Sequence, residues 1–138
     1  MTSFDLERTY LFLDGKGVVE SADGGPAFWA GVGEKSVAGD TMVIVDADKG
    51  DWARWEMHPR GDEILVILEG TPVIFLEHAD GRLERRATRP GETLIVPRGS
   101  WHRAEGVGAR RILFITYGPG TTHRDVSDAD RAKAAALA

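Results

Sequence analysis

The chain has 138 residues, with 17 Lys and Arg against 22 Asp and Glu, a formal charge of −5, and 42% hydrophobic residues. That length suits one domain over residues 1–138 with a core of its own. The absence of cysteine excludes disulfides, thiolate metal sites and cysteine nucleophiles. The acidic balance argues against a nucleic-acid partner, which asks for a basic face.

At the N-terminus, Asp5, Glu7 and Arg8 precede any apolar run, so the segment does not read as a signal peptide. No stretch approaches the roughly 18 apolar residues of a membrane span. No membrane partner is expected, and a cytoplasmic location is. Residues 1–35 are expected to hold N-terminal strands, Arg8 to Leu13 being the strand-like part. Glycines then punctuate short apolar runs at Thr41 to Ala47, Trp52 to His58, Glu63 to Glu69 and Pro72 to His78. The series continues with Arg82 to Thr88, Thr93 to Val96 and Arg111 to Tyr117. These runs are too short for typical helices and rich in Val, Ile, Leu and Trp, so each reads as a strand. Many short strands at regular spacing predict an all-β sandwich or barrel.

Side chains alternate faces along a strand. Trp52, Arg54, Glu56 and His58 therefore share one face, and Ala53, Trp55 and Met57 the other, where they are available to an interface. His58-Pro59-Arg60-Gly61 and Val96-Pro97-Arg98-Gly99 each carry the Pro and Gly of a type I turn. The first is expected to fold Glu63 back beside Glu56 and His58 on a paired strand. Ala79-Asp80-Gly81 signals a hairpin, whose solvated side accounts for Arg82, Arg85, Arg86 and Arg89 around Glu84. Near the C-terminus, Ser127-Asp128-Ala129-Asp130 has the form of a capping box before an Ala-rich run to Ala138. A helix over 127–138 follows, which docks on the barrel or frays, since isolated helices below ~12–15 residues barely hold in water.

Four residues stand out for chemistry: Glu56, His58, Glu63 and His102. Imidazoles and carboxylates converging without a thiol suit a first-row divalent metal such as Fe, Mn, Ni or Zn. Without one, two carboxylates so placed would repel. The plain alternative is an exposed strand whose Glu residues simply meet water. His78 and His123, at a hairpin end and in a polar segment, are read as surface residues. Arg54 can meet a substrate carboxylate or phosphate through its planar fork, or pair with a nearby Glu. Trp52 is either a wall for a small ligand or plain core, and Trp101 is expected to face away from the site.

Gly50, Glu56, His58, Glu63 and Gly70 resemble the first motif of the cupin superfamily, and Gly91, Pro97, Gly99 and His102 resemble its second. Six residues lie between Glu63 and Gly70, five between Gly91 and Pro97, and two between Gly99 and His102. The resemblance runs from Gly50 to Gly106, with motif 1 at 50–70 and motif 2 at 91–106. It implies a double-stranded β-helix, or jelly roll, with a metal inside the barrel and a homodimer in solution, with Arg8 to Leu13 as the segment for cross-subunit pairing. It also implies that His58, Glu63 and His102 are metal ligands. Glu56 stands where the family usually has its first histidine, and Gly106 where it usually has Asn. Glu56 is then a ligand, a partner of a metal-bound water, or a catalytic acid or base. The expected function is a metal-dependent enzyme acting on a small organic molecule, with oxygenase, lyase and isomerase chemistry all open. The alternative is a non-catalytic binding module for a sugar-like or acidic small molecule, with a structural metal or none. Open coordination positions favour the enzyme, and saturation by all four side chains favours the binding module.

Overall fold

The short alternating runs become strands in the computed structural model, which describes residues 1–31, 41–106 and 108–138. In chain order these are β1 (Thr9–Leu13), β2 (Val19–Asp23), the helix α1 (Pro26–Gly31), β3 (Thr41–Lys49), β4 (Arg54–Met57), β5 (Glu63–Glu69) and β6 (Val73–Glu77). There follow β7 (Leu83–Ala87), β8 (Thr93–Val96), β9 (Trp101–Glu105), β10 (Ala109–Tyr117), β11 (Thr122–Asp125) and the helix α2 (Asp128–Ala135). They form a six-stranded sheet ordered β2-β1-β3-β10-β5-β8 and a five-stranded sheet ordered β11-β4-β9-β6-β7. The jelly roll expected from the sequence is the fold observed.

Three elements depart from expectation. The N-terminal stretch holds two strands and also α1, a short turn of helix fastened where the Tyr10 hydroxyl accepts from Gly25 N and from Trp29 Nε1; residues 32–35 of that stretch lie outside the described residues. β9 and β11 are strands whose sequences, Trp-His-Arg-Ala-Glu and Thr-His-Arg-Asp, lack the apolar run that marks the others. They are held by their neighbours instead, β9 between β4 and β6, and β11 on the edge beside β4.

The largest correction concerns the Pro-Arg-Gly turns. β4 and β5 do not pair as a hairpin: β4 lies in the five-stranded sheet and β5 in the six-stranded one. The same is true of β8 and β9 across the second turn. Each turn therefore carries the chain from one sheet to the other, and the two turns are bound together where Gly99 N donates to His58 O at 2.7 Å and Arg98 N to Asp62 Oδ1 at 2.9 Å. The second turn closes one residue later than a type I turn from Val96 would. Ser100 N donates to Pro97 O, and Gly99 occupies the third place with φ 77°. That left-handed conformation is the one a type II turn reserves for glycine. The Asp80-Gly81 hairpin forms as expected, joining β6 to β7.

Alternation now has a physical meaning. On β5, Glu63, Leu65 and Ile67 are buried, while Ile64, Val66 and Leu68 lie on the outer side of the sheet. The inner residues join Phe12, Ile44, Ile74, Val96, Ile112 and Phe114 in a core between the two sheets. Each fully buried aliphatic side chain there contributes roughly 1.5–3 kcal/mol. A second cluster lies outside the five-stranded sheet, where Trp55, Phe75 and Leu83 meet Ala134 of α2. Trp55 is 1% exposed, so α2 covers the residue that the sequence offered to an interface. The helix docks rather than frays. Ser127 and Asp130 form the capping box, and Asp130 Oδ2 also accepts from Trp55 Nε1 at 3.1 Å.

Candidate metal centre

Alternation along β4 turns Glu56 into the barrel, and His58 follows at the start of the first crossing turn. Glu63 opens β5 on the opposite sheet, and His102 stands on β9 beside β4, in register with Glu56. Four residues from three strands and a turn thus meet at one end of the core. Glu63 approaches His58 across the barrel interior, not across a strand pair as the sequence suggested.

The distances are short. Glu63 Oε2 lies 3.0 Å from His58 Nε2, and Glu63 Oε1 lies 3.0 Å from His102 Nε2. Glu56, His58 and His102 each present a ligand atom within 4.8 Å of the others. His58, Glu63 and His102 are 3%, 1% and 0% exposed. Despite their proximity, His58 Nε2, His102 Nε2 and Glu63 Oε1 make no aligned hydrogen bond. Buried polar atoms are almost always satisfied, so three orphans side by side mark a place for a shared cation.

Neighbouring groups set the tautomers. His58 Nδ1 is 2.7 Å from Thr121 Oγ1, whose own hydroxyl donates to Gly118 O. The threonine oxygen is therefore the acceptor and His58 Nδ1–H the donor. His102 Nδ1 donates to Ser100 O at 3.2 Å. In both neutral rings the Nε2 lone pair is left facing the centre, as when an outer hydrogen bond orients a metal-binding histidine. Thr116 Oγ1 donates to Glu63 Oε2 and fixes the carboxylate plane. Two neutral imidazoles and a carboxylate fit a divalent transition metal. Ser100, Thr116 and Thr121 were invisible as site residues in the sequence, since ordinary hydroxyls and carbonyls carry no spacing signal.

Electrostatics agree with a site short of a cation. Burial alone pushes the Glu63 carboxyl up, but the imidazoles of His102 and His58 outweigh it and hold the group at about 2. Burial pushes His102 down, and the adjacent Glu63, with help from Glu56 and the Ser100 carbonyl, raises it on balance.

The remaining predicted residues separate. Glu56 Oε1 stands off at 3.7 Å from His58 Nε2, with the side chain 24% exposed. Trp52 packs inside, its ring 6.3 Å from that of His102 and stacked on Phe114 at 6.1 Å. Arg54 is exposed. Arg54, Trp52 and Glu56 line a groove of about 300 Å³ with Asp48, Asp51, Ala53 and His123. Two of its carboxylates are already engaged, Asp48 by Arg110 at 3.3 Å and Asp51 by Arg131 at 3.4 Å. His123, read from the sequence as a surface residue, lies 3.6 Å from Glu56 Oε1. His78 pairs with Glu84 on the hairpin, away from the site. Trp101 joins the outer cluster, facing away as expected.

A family model described as a cupin domain matches residues 43–118, more than half of the chain. The chain is 34% identical over 58 residues to germin-like protein 1-2 of Oryza sativa subsp. japonica, covering 42% of this chain and 26% of that one. It is 30% identical over 67 residues to germin-like protein subfamily 1 member 1 of Arabidopsis thaliana, covering 49% of this chain and 31% of that one. The chain thus spans a quarter to a third of the length of the curated relatives it matches. Among solved structures, the oxalate decarboxylase of Bacillus subtilis, studied for its Mn(II) centres, aligns with a TM-score of 0.51 at 17% identity over 63% of this chain and 23% of that one. This last likeness is one of fold.

Proposed function

The chain belongs to the cupin domain family, and from that premise we propose that it binds one divalent transition metal and acts as a metal-dependent enzyme on a small organic molecule. The observation that carries the reading is the convergence of three buried, unpartnered ligand atoms, His58 Nε2, Glu63 Oε1 and His102 Nε2. These three residues would hold the metal, Fe, Mn, Ni or Zn; Mn(II) in a protein of the same fold supports a place for manganese among them. When bound, the ion polarises an oxygen of the substrate as a Lewis acid or activates a coordinated small molecule.

The protein's own residues do the rest. Thr121, Ser100 and Thr116 keep the ligands aimed. Trp52 walls the inner side of the groove and excludes water from the ligand atoms. Glu56 Oε1, exposed toward the groove, is placed to take a proton from the substrate and return it. Arg54 has no ion-pair partner among the described residues, so its fork remains for an acidic end of the substrate. With Glu56 kept as an acceptor on the groove side, three protein ligands leave coordination positions open, which supports the enzyme over a binding module in which four side chains saturate the ion.

The test is metal content by elemental analysis of protein purified without chelator, beside a His102→Ala control. We expect about one equivalent in the wild type and its loss in the variant. A wild type that stays metal-free after reconstitution would overturn the reading.

A homodimer belongs to the same proposal, but not through the backbone of β1. That strand is paired on both sides, by β2 and β3, so no edge of it is free for cross-subunit pairing. The outer face of the six-stranded sheet offers Leu11, Val43, Ile115, Ile64 and Ile95 in one cross-strand row, with Ile95 67% exposed. An uncharged apolar row suits a second flat sheet packed against it. Light scattering is expected to give twice the 15.0 kDa of one chain, and Ile95→Lys to halve that mass. A wild-type monomer refutes the dimer. No helix among the described residues is long and apolar enough to cross a membrane. The cytoplasmic location remains part of the proposal.

A further inference from the structure

Three of the four inner side chains have an outer partner at hydrogen-bond distance: His58 has Thr121, His102 has the Ser100 carbonyl, and Glu63 has Thr116. Glu56 has none. Its Oε1 instead stands between two imidazoles, 3.7 Å from His58 Nε2 on the buried side and 3.6 Å from His123 Nε2 on the groove side.

Sheet register explains the arrangement. His123 on β11 is the direct partner of Glu56 on β4, and Glu56 is the direct partner of His102 on β9. Direct partners in an antiparallel pair point to the same face, so His102, Glu56 and His123 form one row from the buried core to the rim. Their neighbours confirm the facing: Arg124, next to His123, lies over Trp55 on the outer side of the sheet. Arg54, which also lines the groove, makes no ion pair with Glu56. Asp48 and Asp51 are held by Arg110 and Arg131 and do not compete for His123.

We propose that His123 is a positioning residue that holds the Glu56 carboxylate on the groove side of the metal centre, so that the place beside His58 and His102 stays open to a small ligand. The inference rests on the metal-binding reading above. In this chain, position 56 carries a carboxylate long enough to reach either way. A ring N–H of His123 attracts Oε1 outward, and a bound cation attracts it inward. His123 thus decides whether Glu56 serves as a fourth ligand or as a free acceptor facing the substrate.

The test uses the full-length protein with Co(II) as the metal probe and azide as the small-anion probe. Co(II) affinity, the visible ligand-field spectrum and azide binding are read for wild type, His123→Ala, His123→Gln and Glu56→Gln. His123 is 45% exposed on an edge strand, so its truncation leaves the core intact. In His123→Ala, Glu56 closes on the ion. Co(II) should bind about tenfold tighter, within the range by which outer groups alter metal affinity, with a changed spectrum and weaker azide binding. His123→Gln keeps an N–H donor and should restore wild-type behaviour. Adding Glu56→Gln to His123→Ala should remove the effect. Unchanged or weaker Co(II) binding in His123→Ala, with a wild type that does bind, overturns this inference alone. A wild type that binds no Co(II) overturns the metal reading and the inference together.

Discussion

Stripped of metal, the protein is expected to be most stable between pH 4.5 and 6.5 and to weaken on either side. The folded-state value of Glu63 lies at about 2, below its ordinary 4.5. Its contribution is therefore present above pH 4.5 and lost as the pH falls toward 2, and amounts to on the order of 3 kcal/mol. His102 moves the other way, raised above its ordinary 6.5. Its contribution is complete below pH 6.5 and disappears as the pH rises through the elevated value. A divalent ion reverses the alkaline limb, because it needs the His102 Nε2 lone pair that a proton occupies. Urea midpoints across this range, for chelated and Mn(II)-saturated protein, should diverge increasingly above pH 6.5. Glu63→Gln should flatten the acid limb of the chelated protein; an unaltered limb would falsify the assignment of that limb to Glu63.

Replacing Arg103 by Ala is expected to cost about 2–5 kcal/mol of stability, the range for truncating a long, fully buried side chain to Ala. Arg103 is 0% exposed, pairs with Glu105, and lies 4.8 Å from the ring centroids of both Trp55 and Phe75. Arg124 continues the stack, 5.1 Å from Trp55 and 4.6 Å from Trp101. This ladder stands directly behind the site. Trp55 adjoins Glu56, Arg103 adjoins His102, and Arg124 adjoins His123, each on the opposite face of its strand. Loosening the ladder should therefore weaken metal retention as well as stability. Arg103→Met, which keeps the stem's volume without the charge, should recover most of both, since Nε and Nη2 have no hydrogen-bond partner to lose and Glu105, left by Nη1, is 22% exposed and reaches water. Chemical denaturation and metal titration of the two variants decide it. Equal losses in both variants would show that the charge, and not the packing, holds the ladder.

The legible parts of the fold are those whose signal is local. β5 and β8 were read to the residue, because a run of aliphatic side chains between glycine turns is enough to mark a strand. The capping box before α2 was equally plain. β9 and β11 were missed because their residues are polar or charged and their strand state comes from pairing with β4 and β6. That omission hid half of the site's frame: β9 carries His102, and β11 carries His123. His102 was recovered only through its spacing from Gly99, which marks a turn and not a strand.

The residue types and shared facing of the candidate site were thus legible in the sequence, but the number of ligands was not, since Glu56 stayed open between ligand, partner of a metal-bound water, and acid or base. Alternation puts Glu56 and His58 on one side of a strand whatever that strand pairs with, and motif spacing adds Glu63 and His102. Which sheet each strand entered was decided only by tertiary structure. The turn after His58 read as a hairpin and the one after Val96 as a type I turn, yet both cross between sheets, because packing two apolar faces into one core buries more surface than closing local pairs. That choice sets Glu63 opposite the histidines across the interior. It also brings Thr121, 63 residues from His58, to its Nδ1, and His123 to Glu56. Contacts between residues so far apart in the chain exist only once the barrel has closed, and the aim of every ligand at this centre depends on them.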